Sequence, residues 1–344
     1  MCDSRESVVL GFSGGIDSVT AVTLLKQSFK RIVAVTLDTI GDVAMLTRAA
    51  ESARNLGVEH IVLDVRKDFS RCIIDYFIDS YSRGHTPAPC TLCNYAIKWH
   101  YLAQVADELG IYHIATGHYF NVVKHNNLYY VVRGKDSAKD QSYYLWGLSQ
   151  DILQRVVTPM GDIIKQEIKQ NFADKRESMG VCFLRGQNYR DFITRHRAEL
   201  AVKGNIVDAK GTVVGSHDGV AFYTIGQKRG FVLRDMACGK SIVDIDAERN
   251  ELRVGADVDL LKATLEIEQC NVVDYNELLN ADDVTVVVRG IGRNPAGFMR
   301  SAERTSYGVR VTLSEPAWAL AAGQPIVFYR QNRVIGGGFL RRSY

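Results

Sequence analysis

Two groups of residues in this chain have types and spacings that can do chemistry. The first is Gly11-Phe12-Ser13-Gly14-Gly15-Ile16-Asp17-Ser18, between a β-branched run and a helical stretch. Glycines let a backbone approach an anion closely, and a helix N-terminus behind them offers N–H groups and a positive dipole end. Ser13 and Ser18 add hydroxyl donors. Asp17 cannot attract phosphate by charge, so it holds Mg²⁺ or orients the loop. No Gly-Lys-Ser/Thr follows, which excludes the Walker type of phosphate loop. For the glycine pair taken alone, the alternative is an ordinary turn with a serine or aspartate helix cap.

The second group is sulfur. Cys90 and Cys93 lie in Thr86-Pro87-Ala88-Pro89-Cys90-Thr91-Leu92-Cys93-Asn94, and Cys182 lies in Gly180-Val181-Cys182-Phe183-Leu184. Cys93 stands just before a predicted helical stretch, where an N-terminus lowers a thiol pKa. A single C-x-x-C is equally a redox pair, half a zinc site or two buried thiols. A closed zinc site needs about four ligands, and no second C-x-x-C or H-x₃-H completes one. Cys2, Cys72, Cys238 and Cys270 are scattered and read as structural.

The elements that must position these groups follow from hydrophobic patterning. Strands are predicted at Val8–Phe12, Arg31–Thr36, Glu59–Val65 and Tyr112–Thr116, and helices at Ser18–Gln27, Leu46–Leu56 and Ile97–Leu109. Such alternation predicts an α/β fold with a parallel sheet and ligands beyond the carboxyl ends of its strands. Asp151–Phe172 is predicted helical despite Pro159 and Gly161, and Val181–Phe183 as a short strand. From about Lys240 short runs (Ile242–Ile245, Glu251–Val254, Val284–Arg289, Gly308–Leu313, Pro325–Tyr329, Val334–Leu340) predict a small barrel or sandwich.

The chain has 344 residues, which predicts two or three domains. Hydrophobic residues make up 46% and charged residues 24%, a balance that suits a soluble globular protein. A net charge of +3 neither demands nor excludes a nucleic acid, so any RNA surface must be a local basic patch. Seven cysteines, an odd number, do not suit a secreted disulfide framework. No basic start leads into a long apolar run, and no apolar stretch is long enough to span a bilayer, so a cytoplasmic location is expected.

Read in order, the motifs resemble those of the tRNA 2-thiouridylases, the MnmA/TrmU family, within the N-type ATP pyrophosphatase superfamily. They are SGGIDS at Ser13–Ser18, PCTLCN ending at Asn94, ATGHY at Ala115–Tyr119, KDQSYYL at Lys139–Leu145, GVCF at Gly180–Phe183, TIGQKRG at Thr224–Gly230 and the glycines Gly336–Gly338. The resemblance implies an ATP-pyrophosphatase α/β domain over 1–147, with a helical continuation to about 200. A small central tRNA-binding domain over 201–239 and a C-terminal β-barrel over 240–344 follow. It also implies a reaction. ATP adenylates the C2 oxygen of a wobble uridine, and sulfur displaces AMP to leave 2-thiouridine and pyrophosphate.

By motif, the ATP site comprises Gly11, Phe12, Ser13, Gly14, Gly15, Ile16, Asp17, Ser18, Leu37 and Gly117. Cys93 is the nucleophile, and Cys182 carries the persulfide and can form a disulfide with Cys93. Ala88, Pro89 and Cys90 lie beside the target base, and His118, Lys139, Asp140, Gln141, Arg293 and Gln324 contact tRNA. The implied cofactors are ATP and Mg²⁺, and the implied partners are tRNA and a persulfide sulfur-donor protein. The chemistry is coherent: adenylation makes the C2 oxygen a leaving group, and a persulfide is a strong nucleophile near neutral pH.

Some positions depart from the family pattern. Cys90 stands where some members carry a carboxylate, and Ala88 where asparagine is usual. Cys90, Cys93 and Cys182 together form an alternative three-ligand set for an iron–sulfur cluster. Tyr143, Tyr144 and Trp146 could stack bases but are read as core. Two competing functions are a pyrophosphatase that adenylates a small molecule and uses ammonia, and a tRNA-binding protein without catalysis.

Overall fold

The computed structural model describes residues 6–169, 180–233, 241–290, 294–295 and 297–344. Cys2, Cys238, Arg293 and the end of the predicted helix at Phe172 lie outside them. The described residues form two compact units. The first takes in those of 1–73, 90–178 and 332–335, and the second those of 74–89, 179–331 and 336–344.

The first unit is built on β1 (Ser7–Gly11), α1 (Ile16–Leu25), β2 (Arg31–Asp38), α2 (Val43–Leu56), β3 (Glu59–Asp64) and β4 (His113–Thr116). A hairpin, β5 (Phe120–His125) and β6 (Leu128–Arg133), and a short β7 (Val156–Val157) follow. The main sheet has the order β3-β2-β1-β4-β7, with every neighbouring pair parallel. Val8, Val9 and Leu10 of β1 are fully buried, as expected of a central parallel strand covered on both faces. Ala21 and Val22 of α1 and Ala49 and Ala53 of α2 join Val8 and Leu10 in one core. Each apolar side chain of Val or Leu size buried in this way contributes roughly 1.5–3 kcal/mol. Asp42 caps α2 by accepting the Met45 N–H at 3.0 Å, and Gly57, at φ 63°, ends it in the left-handed region.

Three expectations need correction here. The predicted helix over Asp151–Phe172 is instead a turn of helix at Gln150–Leu153, then β7, then a short helix at Lys165–Lys169. Val156 and Val157 pair with Ile114 and Ala115, so sheet-edge pairing overrides the helical period, and Pro159 supplies no helical N–H. The helix predicted from Ile97 starts at Pro89 and runs to Glu108, through a wide π turn at Asn94–Lys98. The β5–β6 hairpin has no counterpart among the predicted elements. Its signal was Asn126-Asn127, both at positive φ (49° and 62°), the conformation of a tight hairpin turn.

In the second unit, a helix at Asp75–Ser82 packs with a 3₁₀ turn at Cys182–Leu184 and a helix at Tyr189–His196. The strand predicted at Val181–Phe183 is this 3₁₀ turn, because the Phe183 ring is drawn into a cluster with Phe77 and Phe192, at 5.1 and 5.2 Å between centroids. Next come β8 (Gly204–Val207), β9 (Val213–His217), β10 (Val232–Leu233), β11 (Ser241–Asp246) and β12 (Glu251–Gly255), in the order β10-β9-β8-β12-β11.

The last strands are β13 (Leu261–Val272), β14 (Val284–Val287), β15 (Met299–Thr305), β16 (Gly308–Trp318), β17 (Pro325–Arg330) and β18 (Arg333–Ser343). Their order is β14-β17-β18-β13-β16-β15. A bridge from Thr285 of β14 to Phe298, the residue before β15, joins the two ends, so the antiparallel sheet closes as a barrel. The first residues of β18 belong to the first unit, where Arg333 pairs with Val132 of the hairpin.

Candidate active site

Gly11 ends β1 and the phosphate loop turns at its carboxyl edge. Phe12 N–H still bonds to Val35 O at 2.8 Å, which fixes where the turn departs from the sheet. Gly14 has φ 69°, and a Cβ there would lie 2.8 Å from the Ala49 Cα of α2. Only glycine therefore lets the loop lie flat on α2. Gly15 is the N-cap of α1 and gives the helix no side-chain cap, so serine hydroxyls serve the turn instead. The Gly15 N–H donates to Ser13 Oγ at 3.4 Å, the Ser18 hydroxyl donates to Gly15 O at 3.0 Å, and the two hydroxyls are 3.4 Å apart. Ser13 is exposed and Ser18 buried. An uncapped helix start beside the exposed Ser13 can take an anion.

Neighbouring strands complete this edge. Thr116 of β4 is level with Gly11, and a Cβ on the following Gly117 would stand 3.0 Å from Ser18 N. Leu37 lies half-buried near the end of β2, past the Gly11–Val35 pair. Loop, Gly117 and Leu37 thus meet at one edge of the sheet. From behind, the Thr36 hydroxyl donates to Phe12 O at 2.7 Å, and His60 Nε2 sits 2.8 Å from Thr36 Oγ1.

Asp17 is held from two sides, by Tyr119 of the ATGHY motif and by Lys165, which the sequence patterns did not single out. Lys165 Nζ lies 2.6 and 2.7 Å from its two oxygens, and the Tyr119 hydroxyl donates to Oδ1 at 2.7 Å. No local pattern marks Lys165, which is brought in from far along the chain. Both Asp17 oxygens are therefore engaged, which fits the loop-orienting role expected of Asp17. Among the described residues, no three His, Cys, Asp or Glu side chains converge as a metal site. Neither Mg²⁺ nor an iron–sulfur cluster finds a preformed protein ligand set among them.

Cys90 and Cys93 are one helical turn apart on the helix that begins at Pro89. Cys90 is thus in the first turn, and Cys93 is a turn further in rather than ahead of the helix. Cys90 is exposed and Cys93 buried. The Asn94 side chain donates to Tyr144 O at 3.2 Å and ties this helix to the Ser142–Tyr144 turn. Burial and the nearby Cys90 raise the Tyr144 hydroxyl pKa. Tyr143 and Trp146 are buried, as core residues should be. Further along the helix, Trp99 stacks on His118 at 6.4 Å, and Leu102 lies against Gly11. Desolvation, then Lys98, push the His118 pKa well below its usual value. The Thr116 hydroxyl lies 2.7 Å from His118 Nδ1, a geometry that suits a neutral ring.

The Lys139–Gln141 segment is anchored by its own side chains. Asp140 accepts from Gly134 N at 3.0 Å, Ser142 N at 3.2 Å and Ser142 Oγ at 2.7 Å. Gln141 Oε1 accepts the Tyr119 N–H at 3.0 Å. The Lys139 N–H bonds to Asp136 O at 3.0 Å, and its side chain is half-buried.

The second unit gathers a different set. Cys182 is exposed at the start of its 3₁₀ turn, with the buried Phe183 as anchor. The segment before Pro89 is fastened by Thr86, whose N–H bonds to Ala322 O at 2.8 Å and whose hydroxyl pairs with that of Thr224. The Ala88 N–H lies 3.5 Å from the Tyr76 hydroxyl. Gln324 Oε1 accepts the Ala321 N–H at 3.2 Å and braces the turn that Thr86 joins. Ala88, the Thr224–Gly230 motif and Gln324 are thus organised within one unit. Cys93 belongs to the first unit and Cys182 to the second.

Comparison with known proteins divides the chain along its length into three domains, the first of which takes in Ala88, Cys93 and Cys182 together. Residues 6–186 match the tRNA methyl transferase HUP domain, 190–256 the tRNA methyl transferase PRC-barrel domain, and 283–340 the aminomethyltransferase beta-barrel domain. A tRNA-specific 2-thiouridylase MnmA 1 of Bacteroides fragilis is 36% identical, covering 100% of this chain and 99% of that protein. MnmA 2 of Phocaeicola vulgatus is 37% identical over 98% of this chain and 99% of its own length. MnmA of Carboxydothermus hydrogenoformans is 35% identical over 98% of each. The α/β domain with its phosphate loop, the central sheet and the closing barrel therefore form one set, and the chain belongs to the MnmA family of tRNA-specific 2-thiouridylases.

Proposed function

We propose that this protein converts a tRNA wobble uridine to 2-thiouridine, using ATP and a persulfide sulfur. The observation that carries the reading is the phosphate loop, an uncapped helix start with serine hydroxyls at the carboxyl edge of a parallel sheet, in a chain similar to MnmA proteins along its whole length. The uridine C2 oxygen attacks the α-phosphorus of ATP, pyrophosphate leaves, and the base carries AMP on that oxygen. The loop N–H groups and hydroxyls stabilise charge on the departing pyrophosphate. Mg²⁺ would accompany ATP with phosphate oxygens as its ligands.

Cys182 carries the persulfide. Its terminal sulfur attacks C2, and AMP departs with the former C2 oxygen. The Cys93 thiolate then attacks the Cys182 sulfur. The bond from Cys182 to the transferred sulfur breaks, the sulfur stays on C2, and a Cys93–Cys182 disulfide forms. Two electrons from an external dithiol restore both thiols. This sequence requires the two cysteines to meet during turnover. Ala88, Pro89 and Cys90 lie beside the target base, and His118, Lys139, Asp140, Gln141, Arg293 and Gln324 meet tRNA. A separate protein supplies the persulfide, and the reaction takes place in the cytoplasm. We assign adenylation to 1–147, with its continuation to about 200, and tRNA binding to the rest of the chain, expected as 201–239 and a barrel of 240–344; Ile242–Ile245 and Glu251–Val254, expected in the barrel, instead lie in β11 and β12 of the central sheet, and the barrel begins at β13.

The test is incubation of the full chain with tRNA, ATP, Mg²⁺ and a persulfide donor, followed by mass spectrometry of the nucleosides. 2-Thiouridine that depends on ATP is expected. AMP formation that needs a small acceptor and not tRNA would overturn the reading in favour of a small-molecule adenylating enzyme. tRNA binding with no ATP turnover would overturn it in favour of a binding protein.

A further inference from the structure

Asp17 poses a physical problem. It places a carboxylate in the first turn of α1, where the phosphate loop must receive a polyphosphate, and like charges repel there. The structure already supplies the countercharge. Lys165 reaches both Asp17 oxygens at 2.6 and 2.7 Å, and its side chain is only 7% exposed. A charge that poorly solvated persists only where a partner meets it.

The lysine is also fixed in place. Its backbone N–H donates to Asp136 Oδ2 at 2.8 Å, and its ammonium lies 5.6 Å from the centre of the Tyr119 ring. Tyr119 in turn gives its hydroxyl to Asp17 and its N–H to Gln141. The 134–142 turn, the short helix at Lys165 and the start of α1 are thereby joined through charged and polar atoms.

We propose that Lys165 is a positioning residue for ATP: by neutralising Asp17 it lets the phosphate loop accept the triphosphate, and Asp17 serves as the anchor of Lys165 rather than as a resident metal ligand. The inference rests on the reading of the loop as the ATP site. Lys165→Met leaves a bare carboxylate beside the triphosphate and opposes binding. Lys165→Met with Asp17→Asn removes both charges and relieves that repulsion. A metal-ligand role for Asp17 predicts the opposite, with Asp17→Asn harmful in either background.

The experiment is calorimetric ATP binding to the full chain, in EDTA and again with Mg²⁺, for wild type, Lys165→Met, Lys165→Arg, Asp17→Asn and the double variant. In EDTA, Lys165→Met should weaken ATP by on the order of tenfold or more. The double variant should recover most of that loss, and Asp17→Asn alone should bind at least as tightly as wild type. Lys165→Arg keeps the charge and should stay within roughly threefold of wild type. If Lys165→Met does not fold, Asp17→Asn and Lys165→Arg carry the same test. Wild-type affinity in Lys165→Met, or a further loss on adding Asp17→Asn, overturns the proposal. A wild-type chain that binds no ATP under either condition overturns the ATP-site reading itself, whatever Lys165 does.

Discussion

Gly14→Ala is the sharpest perturbation of the phosphate loop. Two terms oppose the new methyl group. Holding an alanine at φ 69° costs about 1–2 kcal/mol. The methyl carbon would also stand 2.8 Å from Ala49 Cα, 3.2 Å from Ala49 N and 3.3 Å from Arg48 O. All three are backbone atoms of α2, so no side chain can swing aside, and Ala49 is itself fully buried. Overpacking of this kind adds about 1–3 kcal/mol, for a total of roughly 2–5 kcal/mol. Gly57→Ala is the control. Gly57 has φ 63°, and a methyl group added there would meet nothing within 4 Å, so it bears the conformational term alone. Hydrogen exchange of peptides covering β1 and α1, as a function of urea, reads the stability of the loop's surroundings, and calorimetry reads ATP affinity. Gly14→Ala should lose more stability than Gly57→Ala by the overpacking term and should lose ATP affinity as well. Equal losses in the two variants, with ATP affinity intact, would refute the claim that the approach to α2 shapes this loop.

The remaining predictions concern sulfur, the polar turn and protons. Cys182→Ser should abolish 2-thiouridine while AMP is still transferred to tRNA, read by nucleoside mass spectrometry and by label from α-phosphate-labelled ATP; normal thiolation would remove Cys182 from the pathway. Asp140→Ala removes the carboxylate that accepts from the N–H groups of Gly134 and Ser142 and from the Ser142 hydroxyl and should destabilise the first unit by about 1–3 kcal/mol. Unchanged urea unfolding would contradict this bracing role of Asp140, whatever the variant does to tRNA binding. Desolvation lowers the pKa values of His118, His60, His85 and His217 below the usual 6.5. The unfolded chain then takes up protons that the folded chain refuses, so stability should be full above about pH 6.5 and be lost as pH falls through that value toward the folded pKa values. His118→Gln should flatten this dependence more than His60→Gln does, measured by unfolding from pH 7.5 to 5; identical slopes would contradict the burial argument.

The α/β domain was legible because its signals are local. β1 is an apolar run, glycines follow it, and a helix follows them, so the loop could be placed from residues 8–27 alone. α2 was likewise seen over Leu46–Leu56 from its period, but its first turn, from Val43 behind the Asp42 cap, was not. What remained hidden depends on residues distant in sequence. Val156 and Val157 carry a helical period but pair with β4. Val181–Phe183 has strand-like residues, yet the attraction of Phe183 to Phe77 and Phe192 turns it into a 3₁₀ turn. β13, the longest strand of the barrel, contains Lys262, Glu266 and Glu268 among its apolar residues, and that mixture obscured it. The role of Asp17 was open in the sequence for the same reason: its partner Lys165 reaches it only through the fold.

The central chemical claim is that the uridine C2 oxygen leaves on AMP. It is tested most directly with tRNA carrying ¹⁸O at C2 of the target uridine, incubated with this protein, ATP and a persulfide donor. The account predicts one labelled oxygen in the AMP phosphate for each 2-thiouridine formed. Unlabelled AMP alongside 2-thiouridine would contradict it.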